Sequence, residues 1–531
     1  MTRKEPAGQH GLQWIRAGIL TGYLAMMALI LLDVVLLFDV LPFASKKAMP
    51  MPQWALLLLG VAGILGAAAF FSRHGEQSGI SDEKDMKACA AGLFGWMLLF
   101  VVQVCVCYFS YFLTDWDSEV VTRNAYWIAT GVPYIDHNYY AQCSNNALLT
   151  LLYAAVMRVF YFVAPTGGLD RYIFVVIVFQ CAVNTLTGIL TWRLALRWTR
   201  SRGFARLVCA VYVCFIGLSP WIMIPYSDPI AIAFPVVLLN LVDLAHSSSR
   251  KGLAWLGIAA LSALSMLIKP QAAIMAIALA ILEAARLLSE GRFRSGAARA
   301  ALVLLAILFG AGPGLDLTFR FSPLERNRET ELDMLHYFMM GLNAPMNGSY
   351  FSDDVDLSVH TETKAERHAV EFAVIKERVQ AMDAKGWASF LAKKTLTNYA
   401  DGTFAWGING RFFAEQIADK DDVLSPFLKD LFNSENGRRY PVFQAFEQAV
   451  WLALLLFSLA SVFAQRAMSS PQERFLLLTM LLGVIGLTLF ETIFEARARY
   501  LLTFAPIYLL VGLRGAWHVC GTLKNLIRAH H

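Results

Sequence analysis

Apolar runs of roughly 17 to 25 residues recur along most of this chain, each long enough to cross the hydrocarbon core of a bilayer as a helix. A backbone in lipid must satisfy its own N–H and C=O groups, and a continuous helix does so within one segment. The runs near 17–39, 53–72, 88–113, 171–193, 207–224, 230–246, 253–267, 272–288, 300–318, 447–465, 475–494 and 500–516 predict twelve spanning helices. Composition agrees: of 531 residues, 57% are hydrophobic and 16% charged, against about 25% charged in soluble domains. A cytosolic enzyme is excluded, and an all-α polytopic membrane protein of 12–13 helices is expected. The net charge of +5 is an excess that such proteins place in cytoplasmic loops. With no basic tract interleaved with aromatics, a nucleic-acid partner is not expected.

Lys and Arg set the orientation. Short loops on one side (the N-terminus, 73–87, 193–206, 247–252, 286–300, 466–474 and 514–531) carry 22, and those on the other side carry seven. By the positive-inside rule both termini are cytoplasmic. The basic N-terminus leads into an apolar run too long for a signal-peptide core, so it reads as an uncleaved first helix. Seven of the eight cysteines lie in or beside apolar runs, and no disulfide framework is implied. The stretch 148–165 (LLTLLYAAVMRVFYFVAP) spoils the parity: a full span there would put the 193–206 arginines outside. It is therefore expected to be re-entrant or interfacial, the alternative being an ordinary span with a helix miscounted elsewhere.

Residues 319–446 differ in kind, holding 34 of the chain's 85 charges. An exterior soluble domain is expected there, between an N-terminal transmembrane module (1–318, with an exterior loop at 114–147) and C-terminal transmembrane helices (447–531). Phe372, Ile375, Val379 and Met382 recur at helical spacing and predict an amphipathic helix ending near Gly386. A second helix is expected around Trp387 to Thr397.

Three exterior stretches are polar where a purely structural membrane protein need not be. In TDWDSEVVTRNAYWIATGVPYIDHNYYAQCSNN, Asp115, Asp117, Glu119, Asp136 and His137 cluster near the membrane surface. The Asp-x-Asp pair suits a divalent metal or a general base, and equally a solvated loop with helix caps. In WIMIPYSDPIAIAFP, Asp228 is either a helix cap or a cavity-lining acid, and Tyr226 stands beside it. Lys269 in LIKP either snorkels to the interface or meets an anionic headgroup. In FEARARYLLTFAPIYLL, Glu495, Arg497, Arg499 and Tyr500 lie between the last two spans, with two arginines on the side the charge rule disfavours. Arginine is the side chain best shaped to grip phosphate. Arg497 and Arg499 cannot face one way on a regular helix, so one is expected to meet ligand and the other protein.

TDWDSEVV, NYYAQCSNNALLTLLY, IPYSDPIAI, LIKP, MGLNAPMNGSY with DGTFAW, and EARARYLLTFAPI occur in this order across residues 114 to 507. That order resembles the GT-C superfamily of polyprenyl-phosphate-sugar glycosyltransferases, especially bacterial surface-glycopolymer members, with protein O-mannosyltransferases and the lipid A aminoarabinose transferase more distant. The resemblance implies a plasma-membrane enzyme with its active site on the exterior face. It would pass a sugar from a polyprenyl-phosphate donor to a hydroxyl on a glycan, glycolipid or protein, with inversion. It maps the general base onto Asp117 or Asp115, with Asp117 favoured; Asp115-Trp116-Asp117-Ser118-Glu119 departs here from the adjacent Asp-Glu of the mannosyltransferases. It maps the donor phosphate onto Arg497, Arg499 and Lys269. The matching stretches also hold the candidate pocket residues Asn145, Asn146, Tyr226, Asp228, Asn343 and Glu495, with His137 just before the second of them. Some family members need Mg2+ or Mn2+ and others do not, so a metal on Asp115 and Asp117 stays open. The rival class is a transporter or lipid flippase using intramembrane acids, though no paired broken-helix repeat speaks for it; a membrane scaffold would leave the exterior Asp and Arg unexplained.

Overall fold

The computed structural model describes residues 7–47, 49–74, 82–114, 116–132, 135–247, 250–290, 293–410 and 422–530. Among them the protein is all-α. Ten helices are long and apolar enough to cross a membrane: Gln13–Leu37, Gln53–Arg73, Ser144–Val163, Leu169–Thr199, Ser227–Ser247, Lys251–Ile268, Gly296–Arg320, Tyr440–Ala467, Pro471–Ile493 and Ala498–Ala529. A shorter apolar helix, Gly92–Tyr108, stands beside them.

The C-terminal pair forms the centre. Trp451 to Leu455 and Ile507 to Val511 are buried on every side, the pattern of a helix enclosed by others. Outer helices instead turn Leu29, Leu58, Phe94, Met97 and Leu305 outward, as lipid-facing surfaces require. Close approach at the centre depends on small residues. A Cβ on Gly515 would lie 1.8 Å from the Phe457 carbonyl oxygen, and one on Gly60 would lie 1.9 Å from that of Ala449.

Of the twelve expected spans, 88–113 and 272–288 form helices, Asp82–Tyr108 and Ile274–Glu290, that are not among the ten, and two further segments come out differently. The run 207–224 is not one span: the Arg202–Tyr212 helix passes into a π-turn, Val213–Gly217, and then a 3-10 turn, Pro220–Met223. The break exposes carbonyls inside the protein, and buried glutamines of neighbouring helices take them up. Gln103 Nε2 donates to Gly217 O at 2.6 Å, and Gln180 Nε2 donates to Ile222 O and Ile224 O at 2.8 and 2.9 Å. Such irregular backbone is tolerated at membrane depth only where protein satisfies it. The stretch 148–165 has no reversal; it is one unbroken helix, Ala147–Val163, so the re-entrant form does not occur. It runs alongside the Asp117–Thr130 helix, and Arg158 Nη1 donates to Ala129 O at 2.5 Å.

Among the described residues, 319–410 and 422–439 are mostly short helices. The expected amphipathic helix is present as Lys364–Ala381, ending at Ala381 rather than near Gly386, and the second expected helix as Ala384–Tyr399, capped by Asp383 accepting from Gly386 N at 2.7 Å. The second helix ends inside the bundle. Tyr399 Oη lies 2.8 Å from Tyr508 Oη, Trp451 Nε1 donates to Tyr399 O at 2.8 Å, and Trp221 Nε1 donates to Thr403 O at 3.0 Å.

Gly515→Ala is expected to destabilise the protein by about 1–3 kcal/mol, because the two central helices must move apart. Gly63→Ala, with nothing within 4 Å of the added carbon, is expected to be neutral or stabilising. Thermal melting of the purified variants in detergent checks both.

Candidate active site

Three interruptions of helix place the candidate residues. The first lies between Pro220–Met223 and the Ser227–Ala231 helix, where Tyr226 is extended (φ −144°, ψ −176°). The second is Lys269, extended after the Lys251–Ile268 helix and followed by Pro270. The third runs from Phe494 to Arg497, before the 3-10 segment Ala498–Phe504. Proline explains the first two: it removes a backbone donor and biases the preceding residue towards extended backbone.

Asp228 joins the three breaks. It is wholly buried, Lys269 Nζ donates to its Oδ1 at 2.6 Å, and Arg499 Nε lies 3.5 Å from its Oδ2. The acid is therefore neither an exposed cap nor isolated, and Lys269, itself buried, does not snorkel. Three aromatic rings flank the Arg499 guanidinium: Trp116 at 4.8 Å, Tyr226 at 5.3 Å and Tyr500 at 5.7 Å. Two cations share the Asp228 carboxylate, and two further buried acids stand near them, Glu491 towards Lys269 and Glu495 towards Arg499. Arg499 Nε also lacks a hydrogen-bond partner.

Tyr226 links this cluster to Asp117. Its hydroxyl donates to Asp117 Oδ2 at 3.1 Å and accepts from Asn146 Nδ2 at 3.2 Å. Asn146 donates its second hydrogen to Tyr139 Oη at 2.6 Å. The strand of backbone that carries Tyr226 is pinned from both sides, by Tyr153 Oη at 2.8 Å from Tyr226 O and by Ser118 Oγ donating to Pro225 O at 3.2 Å. Asp117 opens the Asp117–Thr130 helix and is half-buried.

At the third break, Tyr500 Oη donates to Glu495 Oε2 at 2.8 Å, while Arg497 stands 3.8 Å from Glu495 Oε1 with a third of its side chain exposed. The two arginines thus divide as their spacing demands: Arg499 inward on Asp228, Arg497 at the rim. Asn343 is wholly buried, its Oδ1 accepting from Met346 N at 3.1 Å, in a turn whose Gly348 O accepts from Ala496 N at 2.7 Å. It shapes the loop that holds Ala496 rather than touching the charged cluster. His137 begins a short helix behind the site, and among the described residues neither His137 nor Asn145 hydrogen-bonds to the cluster. Asp115 lies outside the described residues. Among those described, no set of three His, Cys, Asp or Glu within reach of one ion includes Asp117.

Sequence reasoning passed over two groups here. Glu491 is wholly buried, with Oε1 unpartnered; an acid inside an apolar run was the available signal. Lys394 is buried on the Ala384–Tyr399 helix and donates to Gly341 O at 2.5 Å; nothing in its local sequence marks it. Burial pushes its ammonium down to about 8, against the pull of Glu491 and Glu495.

Asp228→Asn is expected to cost about 3–5 kcal/mol of stability, since it strands two buried cations. Adding Lys269→Met is expected to restore much of that loss, as a double-mutant cycle of melting curves would read. For Lys394 the folded pKa lies below the ordinary 10.5, so between about pH 8 and 10.5 the unfolded chain holds a proton that the folded chain has released. Stability relative to Lys394→Met is therefore expected to rise with pH through that window, measured as denaturation midpoints across it.

Comparison with curated proteins finds no match. Among solved structures the chain is similar to ArnT from Cupriavidus metallidurans bound to undecaprenyl phosphate, at 14% identity over 80% of this chain and 78% of that one, with a TM-score of 0.30. Residues 15–515 match the family described as conserved hypothetical integral membrane protein, and with its ten apolar helices the chain belongs to that family as a multi-pass integral membrane protein.

Proposed function

We propose that the protein is a membrane glycosyltransferase that moves a sugar from a polyprenyl-phosphate donor to a hydroxyl acceptor, with inversion, at the exterior face of the plasma membrane. One observation carries the reading: a single phenol, Tyr226, touches the Asp117 carboxylate with its hydroxyl and the Arg499 guanidinium with its ring. A candidate base and a fixed buried cation thus stand on either side of one side chain. Glycosyl transfer from a phosphate needs that pairing.

The chemistry follows from charge. As the bond from the sugar carbon to the phosphate oxygen breaks, negative charge grows on the leaving phosphate. Cations already fixed there stabilise the transition state more than the ground state. Lys269 and Arg499, held by Asp228, supply that field, and Arg497 at the rim is placed to grip the phosphate through paired donors. Asp117 takes the proton of the attacking hydroxyl. Tyr226 holds one of its oxygens, Oδ2, leaving Oδ1 for the acceptor. Glu495, with Tyr500, lines the pocket on the Arg497 side. A divalent ion such as Mg2+ or Mn2+ on Asp115 and Asp117 belongs to the same proposal, as do cytoplasmic termini and an exterior domain at 319–446 that recognises a glycan, glycolipid or protein acceptor.

The test uses purified protein in nanodiscs, offered a panel of polyprenyl-phosphate sugars and candidate acceptors, with release of polyprenyl phosphate followed with and without chelator. One donor is expected to give release, and Asp117→Asn to lower its rate about 10²–10⁴-fold without changing the melting temperature. Near-normal turnover in Asp117→Asn would refute the base. No release from any donor by folded protein would favour the lipid flippase reading.

A further inference from the structure

The inward face of the Lys364–Ala381 helix buries charged side chains beside Ile375. Phe372 is 62% exposed and Val379 is 42% exposed, whereas Arg367 and Glu371 are fully buried. Something polar must hold that face in place. Glu371 Oε1 accepts from Ser358 Oγ at 2.8 Å and lies 3.6 Å from the Nδ1 of buried His336. Its other oxygen, Oε2, has no hydrogen-bond partner. A buried carboxylate oxygen left bare is costly, so such an atom points to a missing ligand.

The groups around it have the chemistry to share one. His368 precedes Glu371 by three residues on the same helix, which puts both on one face. Asp333 caps the Met334–Gly341 helix opposite them, accepting from Leu335 N at 3.1 Å through Oδ1. Its Oδ2 lies 2.7 Å from His368 Nε2, and one ligand atom from each of Asp333, His368 and Glu371 falls within 4.8 Å of the others. We propose that these three residues bind a divalent transition metal, with Zn2+ the best match to one imidazole and two carboxylates. The reading is independent of the proposed glycosyl transfer.

Charge sets the terms of binding. Lys364 Nζ stands 3.0 Å from Asp333 Oδ2 and Arg367 Nε stands 3.9 Å from Glu371 Oε1. Arg367 is anchored to the backbone carbonyls of Glu329 and Glu331 and stays. Lys364 has a half-exposed side chain, so an arriving ion displaces it into water. The bound ion clasps the Lys364–Ala381 helix to the Met334–Gly341 helix. Gly341, at the end of the latter, packs against the backbone of Ile493 and Phe494 and accepts from Lys394. The ion thereby fixes how this segment sits over the third helix break.

The test takes full-length protein in detergent, stripped with chelator, then exposed to Zn2+ or Mn2+ and desalted before the metal is counted by mass spectrometry. The expected result is about one ion per chain and a rise in melting temperature that chelator reverses. His368→Gln is expected to melt like wild type in chelator, to bind about tenfold or more weakly, and to lose the metal-dependent rise. Lys364→Met, which removes the competing ammonium, is expected to bind more tightly; it keeps the question decidable even where His368→Gln folds poorly. A wild type that retains neither metal, or occupancy that neither variant alters, overturns the site and leaves an ion-pair network.

Discussion

Asp228 is the point on which the candidate site depends. Its carboxylate receives Lys269 from one broken helix and faces Arg499 from another, while it sits just beyond a third break itself. Three interruptions distant in sequence are thereby tied at one buried atom group. An ion cluster at this depth carries a large desolvation cost, recovered only with close geometry and supporting contacts. The rings of Trp116, Tyr226 and Tyr500 around Arg499 supply part of that support by cation–π attraction. Lys269 and Arg499 are thus fixed in place by Asp228, with Glu491 and Glu495 near them.

The breaks are stable because other helices satisfy the backbone they expose. Gln180 serves two carbonyls of the turn before Tyr226, and Gln103 serves the end of the π-turn while its second hydrogen meets Asn184 Oδ1 at 3.0 Å. Residues beyond the transmembrane helices join in: Trp221 reaches Thr403 O, and Gln448 Oε1 accepts from Gly402 N at 2.6 Å. The polar segment after residue 319 thus helps hold the walls of the site, and Lys394 carries a buried ammonium to its edge. Such networks are high-stakes, since each member removed leaves another unsatisfied in a low dielectric.

Legibility varied with how local the cause was. Most spans could be read directly, because a run of Leu, Val and Ala long enough to cross has one main way to satisfy its backbone. The run 207–224 misled, since its hydropathy is that of a span and its irregularity depends on Gln103 and Gln180, which belong to other helices. Pro225 and Pro270 did mark the first two breaks, and the charges beside them proved to meet. Phe372 was misjudged for the opposite reason: the spacing was helical, but buried partners for Arg367 and Glu371 decided which side faced inward. Among the described residues, His137, Asn145 and Asn343 make no hydrogen bond to the charged cluster, and sequence alone gives no way to tell that.

By itself the sequence determined a helical membrane protein, the breaks at Pro225 and Pro270, and the presence of acids and bases beside them. These follow from hydropathy, proline and charge, all of which act over a few residues. Only the tertiary structure decided that Asp228 meets both Lys269 and Arg499, that Tyr226 bridges to Asp117, and that Arg499 rather than Arg497 turns inward. Those outcomes depend on which buried groups can neutralise and hydrogen-bond one another across helices, a condition that no single segment contains.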